Sequence, residues 1–162
     1  MGRIVFLAAL ALGALCACSE KDEPEEVYDA KHDVHFIKKG EEVGVGIDRD
    51  DTAMEKAMEK ARSELPSFLE SFSNPGAGQS RFAVKGKFVS KEGEVEYIWV
   101  ALSKHVDGKF SGLTMNEPFF IKGMPAGSKV VLDKDDVCDW CYFDDGKMVG
   151  AYTQRVLEEK TK

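Results

Sequence analysis

From Asp51 to Phe72 the apolar residues Met54, Ala57, Met58, Ala61, Leu65, Phe68, Leu69 and Phe72 recur at steps of three, one and four. That spacing is the period of a helix that buries one face. Glu55, Lys56, Glu59, Lys60 and Arg62 fall on the opposite, wet side. Thr52 followed three residues on by Glu55 has the form of a capping box, which places the helix start at Thr52. Pro66 interrupts the ladder, because a proline inside a helix costs about 3 kcal/mol, and the pattern therefore predicts a kink or two pieces meeting near Leu65. Asn74-Pro75-Gly76 and Gly78 form the loop that ends the element.

Beyond that loop the helical spacing gives way to short β-prone runs separated by turn chemistry. Residues 81–90 alternate Phe82, Val84, Gly86 and Phe88 with polar neighbours, and Glu92-Gly93 turns them into 94–102, so the pair reads as a hairpin. The run from Val95 to Leu102 is apolar on both faces towards its end, which marks a central strand covered on both sides. Asp107-Gly108 turns the chain into 110–114, and residues 129–132, 137–143 and 149–157 supply further strands, the last two joined through Asp144-Asp145-Gly146. One amphipathic helix packed on a strongly twisted antiparallel sheet of five or six strands is an α+β domain.

The N-terminal pattern differs from both. Arg3 precedes an apolar run over 4–14 and then Leu15-Cys16-Ala17-Cys18, which reads as a secretory signal too short to span a bilayer. Leu15 and Ala17 place the lipidated residue of a bacterial lipoprotein at Cys18, with 1–17 removed as signal peptide. Acyl chains such as palmitate on that cysteine, at about 0.8 kcal/mol per buried methylene, make the attachment to a membrane effectively permanent. Residues 18–30 then form the lipidated cysteine and an acidic, disordered tether, and 31–162 a single domain. The expected location is the cell envelope, and Ser19 in place of an Asp points to the periplasmic face of the outer membrane in a Gram-negative host. Loss of Arg3 takes the formal net charge of −7 one unit further negative, which argues against a nucleic-acid partner.

Several strings then stand in a fixed order: Phe82-x-Val84-Lys85, Glu96-x-x-Trp99, Phe110-x-Gly112 leading to Asn116-Glu117-Pro118, Asp139-Trp140, and Gly150-x-Tyr152-Thr153-x-Arg155. After a helix carrying Met54, Ala57 and Ala61, this order resembles the YegJ-like bacterial family, a domain of unknown function, over residues 48–157. The resemblance implies the α+β fold and carries no activity with it. The family pattern has Ser or a similar residue in place of Cys138 and Met in place of Cys141, so this pair of cysteines is a departure of this chain.

Cys138-Asp139-Trp140-Cys141 is the motif with reactive chemistry. A redox dithiol needs its first thiol at a helix N-terminus, yet Tyr142-Phe143 and a turn follow here. Three readings stay open, namely buried small apolar residues, a structural disulfide, and a thiol-disulfide redox pair. A zinc site needs two further ligands, and no second pair follows. His32-x-x-His35 and His105 make no metal site without a contact supplied by the fold. Asp48, Asp50 and Glu59 fall at calcium-loop positions, but Ala53 stands where glycine is required. Gly44-x-Gly46 lacks the third glycine of a phosphate cradle and reads as a strand edge. No Gly-x-Ser-x-Gly elbow supports a hydrolase, so no metal, cofactor or catalytic set is expected. Glu96, Asp139 and Arg155 are candidates for a buried ion pair or a polar recognition cluster, with Asn116 fixing a turn before Pro118. Trp99, Trp140 and Tyr152 belong to the core or line a groove, and with Glu96, Asn116, Asp139 and Arg155 they make up the candidate binding surface. The sequence thus predicts a lipid-anchored, non-catalytic module that binds an envelope protein or a small ligand.

Overall fold

A computed structural model describes residues 3–6, 23–48 and 50–162 of the chain. It is an α+β fold in which helix α1 (Thr52–Ser73) packs against a six-stranded antiparallel sheet, joined to a smaller three-stranded sheet and a C-terminal helix. The larger sheet contains β5 (Gln79–Val89), β6 (Val95–Val106), β7 (Lys109–Thr114), β8 (Lys129–Asp133), β9 (Val137–Asp144) and β10 (Lys147–Gly150). They lie in the order β10-β9-β5-β6-β7-β8. The smaller sheet contains β2 (Glu25–Asp29), β3 (Val34–Lys39) and β4 (Glu42–Asp48). Between the two sheets lies β1 (Arg3–Phe6), antiparallel to β4 and parallel to β6. Cys18 and most of the expected signal lie outside the described residues.

Local chemistry accounts for most of these elements. Val106 pairs with Lys109 and Asp144 with Lys147, and the two-residue turns between them, Asp107-Gly108 and Asp145-Gly146, have positive φ throughout. Turns of that hand match the right-handed twist of the flanking strands. Val95, Glu96, Tyr97, Ile98, Trp99 and Val100 of β6 are all buried, as befits a strand held between β5 and its partners on the other side. Ala61, Leu65 and Phe68 of α1 pack with Val84, Val100 and Trp140 of the sheet. The N-terminal end of α1, through Met54 and Met58, packs with Val45, Ile47, Val95 and Leu157.

Four expectations are corrected. Asp51, not Thr52, caps α1, its Oδ1 accepting the Met54 N–H at 2.8 Å, so the cap lies one residue upstream of the expected box. The helix is not divided at Pro66, which is exposed within it, because Leu65 and Phe68 on either side are buried and hold both halves to the same core. Residues 149–157 do not form one strand: β10 stops at Gly150, and helix α2 (Tyr152–Lys160) follows. Gly150 and Ala151 both have positive φ, which turns the chain out of the ladder. Glu25–Asp29, assigned by sequence to the tether, is a strand paired along its length with β3, because backbone pairing at a sheet edge makes no demand for apolar side chains.

Candidate functional site

Across three neighbouring strands Trp99, Lys85 and Asp139 stand directly opposite one another and therefore share one face of the sheet. Lys85 and Asp139 are both 0 % exposed. A charge is retained at such depth only with compensating partners. Lys85 Nζ donates to Thr153 Oγ1 at 3.2 Å, and that hydroxyl donates to Asp139 Oδ2 at 2.6 Å. The Lys85 ammonium also lies 4.9 Å from the centre of the Trp99 ring. Burial pushes the Lys85 pKa down, opposed by Cys138, Asp139 and Cys141. Burial pushes Asp139 up, opposed by Lys85, by Thr153 and by the Trp140 N–H.

Asp139 has a second task. Its Oδ1 accepts the N–H groups of Trp140 (2.8 Å) and Tyr152 (3.2 Å), and its Oδ2 accepts the Thr153 N–H at 2.8 Å. Tyr152 and Thr153 open α2, whose own cap residue, Ala151, has no side-chain acceptor. A carboxylate on a strand therefore caps a helix to which it does not belong, meeting the exposed N–H groups and the positive end of the helix dipole. Trp140 next to it donates its indole N–H to the Ala61 carbonyl of α1 at 2.8 Å and meets Tyr152 edge-on at 5.7 Å.

From this buried knot one part reaches solvent. The half-buried Tyr152 ring lies with Lys60 Nζ at 5.2 Å and the Arg155 guanidinium at 5.7 Å from its centre, and its hydroxyl donates to Glu64. Burial, together with the Glu64 carboxylate, pushes the phenol up to about 12. Lys60 and Glu64 lie one turn apart on α1, and Tyr152 and Arg155 one turn apart on α2. The junction of the two helices thus presents two cations, an anion and an aromatic face.

Glu96 and Asn116 stand apart from this group. Glu96 is buried and accepts the N–H groups of Phe119 (2.8 Å) and Phe120, which ties the connection between β7 and β8 to β6. Burial pushes its pKa up, against the pull of those N–H groups. Asn116 is buried, and its Nδ2 has no hydrogen-bond partner among the described residues. The expected association of Glu96, Asp139 and Arg155 does not form. Asp139 is committed to Lys85, Thr153 and α2, Glu96 to backbone, and Arg155 is exposed on Tyr152.

Lys85 and Thr153 carried no role in the sequence reading, although both lie in its ordered strings. A lysine in an alternating strand reads as a solvated position, and nothing local shows that Trp99 and Asp139 flank it. Cys138 and Cys141 are free and buried. Cys138 packs with Met54, Met58 and Leu157, whereas Cys141 packs with Ala83, Trp99 and Ala151. Burial pushes both thiols up, Cys141 to about 12, which is the reverse of what a nucleophilic thiolate needs. Each of the two histidines near the N-terminal hairpin meets a carboxylate, His32 on Asp29 and His35 on Glu26, both at 2.6 Å. Among the described residues no group of three or more His, Cys, Asp and Glu gathers to hold a metal. Gly44 owes its place to packing, since a Cβ there would come within 2.8 Å of the Phe119 ring.

The chain is 31% identical over 104 residues to the uncharacterized protein YegJ of Escherichia coli strain K12, a match that spans 64% of this chain and 66%, just under two thirds, of that protein. No solved structure matches. Residues 51–162, from the cap of α1 to the C-terminal residue, match the model of a family described as an uncharacterized protein conserved in bacteria. The chain therefore belongs to the DUF2314 family.

Proposed function

We propose that this chain is a lipid-anchored, non-catalytic binding domain of the bacterial cell envelope, acylated at Cys18, that recognises a protein or small ligand at the junction of α1 and α2. The observation that carries the reading is the half-buried Tyr152 ring, with Lys60 and Arg155 close to it and its hydroxyl on Glu64. An aromatic ring with its rotamer held by packing and a guanidinium beside it is the composition favoured at binding hot spots. The groups suited to acid-base work face inward: Asp139, Glu96 and Lys85 are each engaged in holding the fold together. The rival reading, thiol-disulfide exchange at Cys138 and Cys141, has their burial and raised pKa values against it.

The test is photocrosslinking in intact cells from a benzophenone side chain placed at Arg155, with a second probe at the exposed Val89 of β5 as control. A species captured from position 155, absent from position 89 and lost on Tyr152→Ala, is the expected outcome. Capture unaffected by Tyr152→Ala, or none above the control, removes the reading.

A further inference from the structure

Strand β1 occupies a place in the sheet that processing at Cys18 empties. Its backbone pairs antiparallel with β4, Arg3 to Asp48 through Phe6 to Val45, and parallel with β6, Ile4 to Val95 through Phe6 to Tyr97. Strands β4 and β6 are neighbours of β1, not of each other. Removing residues 1–17 leaves two facing rows of backbone N–H and C=O groups roughly 9–10 Å apart, twice the spacing of paired strands. Unpaired backbone groups flanked by apolar side chains are costly to leave without partners.

The flanks of the gap define what fits. Ile47 and Val95 lie beside position 4 of β1, and Val45 and Tyr97 beside position 6. All four are buried and belong to one apolar cluster with Met54, Met58 and Leu157. Position 5 lies between Gly46 and Glu96, and the Glu96 carboxylate is already engaged by the Phe119 and Phe120 N–H groups. The occupant is therefore an extended polypeptide of about four residues with apolar side chains at alternate positions, since only a backbone satisfies both edges at once. The chain's own residues after Cys18 lead into β2, which sits beyond β3 and β4 from the gap.

We propose that the processed protein accepts an extended apolar segment of another polypeptide between β4 and β6, adding it to the sheet as the strand that its own N-terminus fills in the unprocessed chain. This rests on the proposed processing at Cys18, and it is independent of the Tyr152 surface.

Amide hydrogen exchange tests it on the chain beginning at residue 18, with a peptide of sequence Gly-Arg-Ile-Val-Phe-Leu, residues 2–7 of the precursor, as the probe. Of the amides of residues 44–47 and 95–97, those that face the gap, and not their alternates bonded to β3 and β5, are expected to exchange freely without peptide and to slow at least about tenfold with it. The same peptide with proline in place of its valine, which lacks one ladder donor, is expected to leave them unchanged. Full-length chain carrying Val5→Pro opens the same gap without truncation and guards against a shortened chain that fails to fold. Protection of those amides before peptide is added, or no response to peptide in both forms, overturns the proposal. The mass of the chain from cells separates the two readings: residues 1–17 retained defeats processing and the proposal together, whereas a mature chain starting at Cys18 that ignores the peptide defeats the proposal alone.

Discussion

Asp139 joins three parts of the molecule through one carboxylate: the sheet that carries it, the first N–H groups of α2, and the Lys85 ammonium reached through the Thr153 hydroxyl. Removing a group of this kind costs more than the bonds it made, because the donors and the facing charge stay buried with fewer partners. Asp139→Ala is expected to lower the stability by about 3 kcal/mol, read from the urea midpoint. Asp139→Asn, which keeps one acceptor for the helix N-terminus, should recover part of that loss. Equal loss in both variants would show that the charge facing Lys85 matters and the cap does not. None of this was readable along the chain. The sequence marked Asp139 as chemically notable, but its partners are 14 residues away at Thr153 and a strand away at Lys85, and only pairing of β5 with β9 sets them side by side.

At the scale of elements, α1 was legible because its signal is local and repeated. Met54, Ala57, Met58, Ala61, Leu65 and Phe68, the residues buried in the structure, are among those that set the helical period. Pro66 misled because a propensity penalty was weighed without the packing on either side of it. The proline removes the N–H that the Arg62 carbonyl would otherwise accept, and it remains exposed. Pro66→Ala restores that donor without touching the core, and a gain of about 1–3 kcal/mol in thermal or urea unfolding is expected. A loss would mean that the nearby Trp140 bond to the Ala61 carbonyl depends on the backbone geometry that the proline imposes. The C-terminal helix was misread for a different reason. Val149, Tyr152, Thr153 and Val156 are β-prone residue types, whereas Thr153 and Leu157, buried four residues apart, carry the helical period over a single turn pair. With an element of nine residues, that signal is too short to outweigh composition, and the carboxylate that caps it comes from β9.

For the whole molecule, the small sheet is a meander of consecutive strands, and its edge strand β2 shows why the sequence draws the tether too long. Glu25, Glu26, Val27 and Tyr28 are exposed, so no burial pattern announces them, and pairing with β3 is a backbone property. The placement of the chain at a membrane is argued from Leu15-Cys16-Ala17-Cys18 alone. Chain recovered from bacterial membranes should begin at Cys18 and carry the added mass of acyl groups, and Cys18→Ser should move it to the soluble fraction. Recovery of the unmodified chain in that fraction before any substitution removes the anchor.

By itself the sequence determined the α+β class, the face that α1 buries and the positions of the hairpin turns that follow α1, at 92–93, 107–108 and 145–146. Each of these follows from the period of apolar residues or from the conformational freedom of residues such as Asp-Gly in a two-residue turn, and both act within a few positions of chain. Tertiary structure alone decided that Lys85 is buried against Trp99 and Asp139, that α2 exists and is capped from a strand, and that β1 separates β4 from β6. Those outcomes rest on groups brought together from separate strands, where desolvation and hydrogen bonding, not local preference, fix which arrangement is lowest in free energy.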